Sequence, residues 1–407
     1  MTERLYYHDS FLYDFEAEVR EIAEKPRPGL IFDRTAFYPT SGGQIFDTGW
    51  IAPVDVPDAK LRVSEVAETE NGKVVHYLEA PLKDLKPGTR VHAQIDAGRR
   101  RDHMQQHSGQ HVLSAAFIKL FGWETISFHM GGESCSIDLS TSSLNPQQIG
   151  EAETLANDIV VEDRLVDIRF VTRHEAEGLG LRKIPPAQRD QLRLIDVRDF
   201  DLTACGGTHV TRTGQIGAIL LRKTEKVKQG WRVEFVCGNR ARTTAGRDFR
   251  TLTEAAGLLS GHIWELPEQI RKLQTNAKTL HKSHRDLLEE VASYQANQLL
   301  SQAPDDNGRK LVVQVFPDRD LEYVRLLAQR VVRQGTAICF LASTSATPAV
   351  VFAQSAGGPH HMGALMKEAL ASLGGRGGGS QDLAQGGPER IDSLDLVLEA
   401  LATRVRE

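Results

Sequence analysis

Asp102-His103-Met104-Gln105-Gln106-His107-Ser108-Gly109-Gln110-His111-Val112-Leu113-Ser114-Ala115-Ala116-Phe117-Ile118 divides the chain into two kinds of sequence. Met104, His107, Ser108, His111, Val112, Ala115 and Phe117-Ile118 recur at the spacing of one helical face, which runs on to Phe121-Gly122. Before it, residues 1–95 hold short β-type runs such as Gly29-Leu30-Ile31-Phe32 and Lys73-Val74-Val75-His76-Tyr77-Leu78. Pro, Gly, Asn and Asp turn signals separate them, as expected of a small barrel or sandwich. After it, Trp123 to Arg240 mixes a helix (Gln148–Ile159) with strands (Ile216–Leu221 and Trp231–Cys237). Residues 96–250 are therefore expected to form an α+β core.

Further on, Ile270, Leu273, Ala277, Leu280, His284, Leu287, Val291 and Tyr294 keep alternating spacings of three and four. A helical coiled-coil segment is expected over 262–303, as a spacer, an intramolecular hairpin or the seam of a homodimer. A polar linker, Ala303-Pro304-Asp305-Asp306-Asn307-Gly308, leads to residues 308–407. There strands (Leu311–Phe316, Ala337–Ala342, Ala349–Ala353) alternate with helices (Leu321–Gln334, His361–Leu373, Leu394–Val405), the pattern of a small α/β domain. The fold class is thus α+β: barrel, core, coiled-coil segment and C-terminal α/β domain.

The 407 residues suit two to four domains, and 40% hydrophobic content is ample for packed cores. No apolar run approaches the roughly 20 residues that span a bilayer, and the N-terminus lacks a signal peptide's apolar stretch. Four scattered cysteines make no disulfide framework. A cytoplasmic protein with no membrane partner is expected. A net charge of −5 excludes a globally basic chain, so nucleic-acid binding would have to come from local patches.

His107 and His111, at i and i+4, share one helical face and are close enough to hold one metal ion. Cys205-Gly206-Gly207-Thr208-His209 offers a thiolate and an imidazole at the same offset, with glycines that permit a tight turn. Three imidazoles and a thiolate suit zinc, one ion per chain; the plainer alternative is a buried cysteine beside a satisfied histidine. His103 lies about 12 Å along the helix from His111, too far for all three histidines to share an ion, and reads as an outer or surface residue. Catalytic zinc usually keeps one position open, so four protein ligands leave its role undecided between activating water and orienting substrate.

Other stretches stand out. Thr35-Ala36-Phe37-Tyr38-Pro39-Thr40-Ser41-Gly42-Gly43-Gln44-Ile45-Phe46-Asp47-Thr48-Gly49 sets paired glycines among hydroxyl and amide side chains. It is either a ligand-approaching loop or an ordinary barrel turn. Between Ile219 and Arg250 stand nine basic residues (Arg222, Lys223, Lys226, Lys228, Arg232, Arg240, Arg242, Arg247 and Arg250) against three acidic ones. This patch suits phosphate contacts, and Arg99-Arg100-Arg101 could extend it. The glycine-rich segment 374–387 reads either as a flexible linker or as a shaped anion-binding loop.

Taken together, these motifs resemble the editing domain of alanyl-tRNA synthetase and its free-standing AlaX relatives, the long type in particular. The likeness rests on Met104-Gln105-Gln106-His107-Ser108-Gly109-Gln110-His111, Cys205-Gly206-Gly207-Thr208-His209-Val210, the 37–49 stretch, Gly230–Gly238 and the Asp382-Leu383-Ala384-Gln385-Gly386-Gly387 ending, and it spans essentially the whole chain. It implies a trans-editing deacylase that hydrolyses the ester of alanine tRNA mischarged with serine, and perhaps glycine. By resemblance, His107, His111, Cys205 and His209 are zinc ligands. Thr125 and Ser127 are the candidates for the discriminating side chain after the histidine helix. Ser127 and Thr208 are the expected catalytic or discriminating polar residues, and Gly42, Gly43, Thr125 and Arg232 are expected to line the substrate. Gly377, Gly378, Gly379 and Gln385 belong to a C-terminal domain that, by the same resemblance, is expected to help grip the tRNA. The chain begins at the barrel and holds no Walker-type loop, so it is expected to consume charged tRNA without ATP. No Ser/His/Asp triad is readable, which disfavours an acyl-enzyme. The competing expectation is a tRNA-binding or chaperone-like module whose zinc is structural.

Overall fold

Six antiparallel strands close the N-terminal barrel in the order Asp14–Ala23, Gly29–Phe32, Val74–Leu78, Leu61–Glu68, Gly49–Pro53 and Arg90–Ile95. The last strand alternates exposed and buried residues, so Val91, Ala93 and Ile95 point inward onto Phe15, Val19, Leu30, Phe37 and Val63. His76 is buried inside too, with Nδ1 3.0 Å from the Leu30 carbonyl and Nε2 2.9 Å from Thr35 Oγ1. This computed structural model describes residues 2–23, 28–79, 85–179, 181, 191–306 and 308–406.

The barrel leads straight into the histidine helix, Ala97–Phe121. Asp96 occupies the N-cap position without capping, because its carboxylate is spent on Arg62 and Thr48. Gly122, at φ 70°, ends the helix in the left-handed conformation. Gly109 brings the helix close to a strand, since a Cβ there would stand 2.3 Å from Cys237 Sγ. Helix Pro146–Val161, opened by an Asn145/Gln148 capping box, lies beside it. Both pack on a four-stranded antiparallel sheet ordered Ile219–Val227, Gly230–Cys237, Cys135–Leu139 and Thr125–Met130. Met104, Leu113, Phe117, Ile137, Ile159 and Phe235 fill this core, each worth about 1.5–3 kcal/mol of burial.

A smaller sheet orders Val166–Thr172, Gln191–Val197 and Asp201–Ala204. The strand expected over Ile216–Leu221 starts later, at Ile219. Thr213–Ile216 is a 3₁₀ turn, and Gly217, at φ 71°, redirects the backbone after it.

The chain divides into two compact units, Met1–Glu254 and Ala255–Glu407. In the second, Leu266–Gln302 is one 37-residue helix. Its C-terminal part buries Ala292, Ala296 and Leu300 against Leu321–Gln334. The heptad positions Ile270, Leu273, Leu280, Leu287, Val291 and Tyr294 are exposed in the single chain. A six-stranded sheet follows, ordered Asp305–Asp306, Arg309–Phe316, Ala337–Ser343, Ala349–Gln354, Leu383–Pro388 and Gly375–Gly379. Its two faces carry separate apolar cores. One is shared with the long helix and Leu321–Gln334, the other with Met362–Leu373 and Leu394–Arg406. The glycine-rich segment is neither linker nor open loop: Gly375–Gly379 and Leu383–Pro388 pair as an antiparallel hairpin. Glycine is required within it, because a Cβ on Gly377 would lie 2.6 Å from Gly386 Cα. No helix among the described residues is long and apolar enough to cross a membrane.

Candidate metal centre

His107 and His111 lie one helical turn apart, with ring centres separated by 5.2 Å. The other half of the site arrives from strand Asp201–Ala204, where Cys205-Gly206-Gly207-Thr208-His209 turns back over the helix. The His209 ring comes to 4.5 Å from that of His107 and 4.6 Å from that of His111. One ligand atom from each of His107, His111, Cys205 and His209 falls within 4.8 Å of all the others. Cys205 Sγ lies 3.4 Å from His107 Nε2 and 3.3 Å from His209 Nε2.

Each ring turns its Nδ1 outward onto another group. His107 Nδ1 is 2.7 Å from Gln44 Oε1, and His209 Nδ1 is 3.1 Å from Ser108 Oγ. His111 Nδ1 faces Asp201 Oδ2 at 3.7 Å, an electrostatic contact beyond hydrogen-bond range. Metal-ligating histidines are held in this way, by an acceptor on the ring nitrogen that does not bind. Three Nε2 atoms and one Sγ remain, and such a set fits tetrahedral zinc.

Protonation favours the same reading at Cys205 and His209 and opposes it at His111. Burial opposes a charged thiol, yet the His107 and His209 rings outweigh it and hold Cys205 well below the ordinary thiol range. Burial, reinforced by His107, holds His209 well below the usual imidazole value. Burial also pulls His111 down, but Asp201 and Cys205 prevail and lift it to about 9, so it must release a proton to ligate. His103 stands apart from the cluster. It is buried rather than on the surface, its Nδ1 has no hydrogen-bond partner among the described residues, and burial followed by Arg99 and Arg240 lowers it to about 3.

Residues 2–99 match the family described as tRNA synthetases class II (A), and residues 192–234 match the threonyl and alanyl tRNA synthetase second additional domain. The alanyl-tRNA editing protein AlaX-L of Pyrococcus horikoshii is 31% identical over 413 aligned residues, covering 100% of both chains. The chain belongs to the AlaX-L family. The alanine–tRNA ligase of Methanobrevibacter smithii is also 31% identical over 98% of the chain, which spans only 45% of that longer protein. Among solved structures, the C-Ala domain of the Aquifex aeolicus alanyl-tRNA synthetase shares 24% identity with a TM-score of 0.25, over 26% of this chain and 99% of that one.

In this AlaX-L family member the remaining expected site residues fall into separate groups. Thr208 is fully buried beside the ligands, where its Oγ1 accepts from Gln44 Nε2 at 2.8 Å. Gly42 and Gly43, at φ 57° and 85°, turn the barrel loop, and a Cβ on Gly43 would stand 2.6 Å from the Phe128 carbonyl. Thr125 Oγ1 donates to Ser114 Oγ on the histidine helix at 2.7 Å, and Gln110 Nε2 donates to the same oxygen at 2.8 Å. Ser127 is exposed and donates to Asp138 Oδ2 at 2.8 Å. Arg232 pairs with the same carboxylate at 2.7 Å, so these two are joined to each other through Asp138.

A bulge explains that placement. Asp138 opposes Ser127 and Leu139 opposes Thr125, so Ile126 is an extra residue that changes which side chains face the helix. Phe128 is the residue that stacks on His107, with ring centres 5.5 Å apart. Sequence reasoning assigned no role to Phe128, to Ser108 or Gln44 as outer partners of the histidines, or to Asp201. The available signal was the general need of each ligating imidazole for such a partner.

The basic patch is partly internal. Arg240 is spent on Asp102 and the Gly131 carbonyl, and Arg100 is buried against Asp47. Arg222 pairs with Asp248 and Lys223 with Glu225. Gly377, Gly378, Gly379 and Gln385 lie on the C-terminal hairpin, in the second unit.

Proposed function

We propose that this AlaX-L family member is a zinc-dependent trans-editing deacylase that cleaves the ester of alanine tRNA mischarged with serine or glycine. The observation that carries the reading is the convergence of His107, His111, Cys205 and His209, in a chain matching AlaX-L end to end. Zinc bound there would supply a Lewis-acid centre for the aminoacyl ester. The chain's own groups hold the site in shape. Phe128 walls it against His107, Asp201 Oδ2 faces His111 Nδ1, and Gln44 holds Thr208 beside the candidate ligands. An aminoacyl ester is already activated, so placing water and stabilising the oxyanion suffice, and neither ATP nor an acyl-enzyme is called for. A site that hydrogen-bonds the serine hydroxyl would reject alanine strongly, because the smaller substrate leaves buried polar groups unpaired. Thr208, Thr125 and Ser127 are the hydroxyls proposed for that role, with Gly42, Gly43 and Arg232 lining the substrate.

We place the protein in the cytoplasm, and assign tRNA binding to its C-terminal hairpin, through Gly377, Gly378, Gly379 and Gln385, and the exposed Ile270–Tyr294 seam to a second copy of the chain. Sedimentation at rising concentration tests the second assignment. A competing reading has its own support: four protein ligands complete a tetrahedron, as in structural zinc sites. The deciding experiment incubates zinc-loaded protein with alanine tRNA carrying serine, glycine or alanine, beside a folded Cys205→Ala variant. Selective loss of serine or glycine, absent in the variant, is expected. Retained binding with no cleavage of any ester would favour the binding module.

A further inference from the structure

Gln44 closes a four-residue turn in the barrel's glycine-rich loop: Ser41 N–H donates to the Gln44 carbonyl at 3.1 Å, and Gln44 N–H to the Ser41 carbonyl at 2.9 Å. The Gly43 carbonyl accepts from Met130 N–H at 3.1 Å, tying the loop to strand Thr125–Met130. The Gln44 side chain has no exposure and meets the metal centre three times. Its Oε1 accepts from His107 Nδ1 at 2.7 Å and from Thr208 N–H at 3.1 Å, while its Nε2 donates to Thr208 Oγ1 at 2.8 Å.

The Thr208 backbone N–H can only donate, so it decides which end of the amide faces it. A flipped amide would set its NH₂ group against that N–H. With the carbonyl oxygen so placed, His107 Nδ1 has to carry a proton. The neutral ring then keeps its lone pair on Nε2, the atom 3.4 Å from Cys205 Sγ. The other two outer contacts decide less. The Ser108 hydroxyl can donate or accept, and Asp201 stands 3.7 Å from His111.

We propose that Gln44 is a positioning residue of the metal centre: it fixes the His107 tautomer that ligates and ties the Cys205–His209 loop to the glycine-rich turn of the barrel. The inference rests on the metal-centre reading above and is independent of whether the chain deacylates tRNA.

The test measures zinc affinity of the full chain by chelator competition, in wild type, Gln44→Leu and Gln44→Glu. Cobalt(II) spectra and the thermal midpoints of the metal-free proteins accompany it. Gln44→Leu should lose roughly 10–100-fold in zinc affinity and shift the thiolate–cobalt band. Gln44→Glu keeps an acceptor for His107 and should bind zinc nearly as wild type does. Unchanged affinity in a folded Gln44→Leu protein, or equal loss in both variants, would overturn the proposal. Failure of wild type to bind zinc would instead overturn the metal centre itself. A measurement on metal-free wild type needs no variant to fold: nitrogen-15 spectra should show His107 protonated at Nδ1, and an Nε2-protonated neutral ring would refute the assignment.

Discussion

Arg100 and Asp47 form an ion pair in which neither side chain has any solvent exposure. Arg100 Nε lies 3.1 Å from both carboxylate oxygens, its Nη1 donates to the Ser10 carbonyl at 2.8 Å, and Tyr38 N–H donates to Asp47 at 2.7 Å. The pair fastens the first turns of the histidine helix to the barrel loop that carries Gln44. Removing one member strands the other charge, so Arg100→Met or Asp47→Leu should each cost about 3–5 kcal/mol, and the double replacement less than their sum. Urea unfolding of the metal-free chain checks this; a single variant as stable as wild type would contradict it.

Asp201 is the carboxylate facing a proposed ligand ring, and it counters the burial that lowers His111. Asp201→Asn keeps the shape and removes the charge. Zinc affinity should fall by roughly 10–100-fold, the usual loss for an outer partner of a ligating histidine. Chelator competition reads this directly, and unaltered affinity would count against a role for Asp201.

Burial lowers His76 to about 4, despite a hydrogen bond to the Leu30 carbonyl that favours the charged ring. Its unfolded value is near 6.5, so the unfolded chain binds the proton first as pH falls. The neutral ring therefore costs nothing above pH ~6.5, and stability is lost progressively between about 6.5 and 4, by a total of about 3 kcal/mol. His76→Asn keeps a donor for Leu30 without titrating in this range. Its stability should fall less steeply with acid than that of wild type, which parallel denaturation curves at pH 7 and pH 4.5 would reveal.

Gly207 gives way to the site physically, since a Cβ there would lie 2.1 Å from His107 Cε1 and 2.9 Å from Gln44 Oε1. Gly207→Ala should push the ring off its ligating position and lower bound zinc well below one ion per chain, while far-UV dichroism stays native. Full zinc content in that variant would show that the loop can yield.

Much of this organisation was legible because it is local. The i, i+4 spacing of His107 and His111, the strand runs of the barrel and the alternation after residue 308 each follow from neighbours on one element. Other readings lacked a deciding local signal. The glycines at 375–379 look like a linker by composition, but they pair as a strand because Leu383–Pro388 supplies the ladder and Gly386 leaves no room for side chains. The seam along Leu266–Gln302 is plain in sequence, yet the helix buries Ala292, Ala296 and Leu300 instead, on the face that meets Leu321–Gln334.

The sequence by itself determined the strand-rich N-terminal region, the histidine helix, the C-terminal α/β alternation and the chemical identity of the four candidate ligands, while closure of the six strands into a barrel is a tertiary result. Periodicity and donor type are properties of residues close along the chain. Only the tertiary structure decided what holds those ligands. Gln44 reaches His107 across 63 residues and Ser108 reaches His209 across 101, contacts that no spacing rule encodes. A single extra residue at Ile126 likewise set Phe128, rather than Ser127, against the His107 ring, because side chains on a strand alternate and one insertion reverses the face they share.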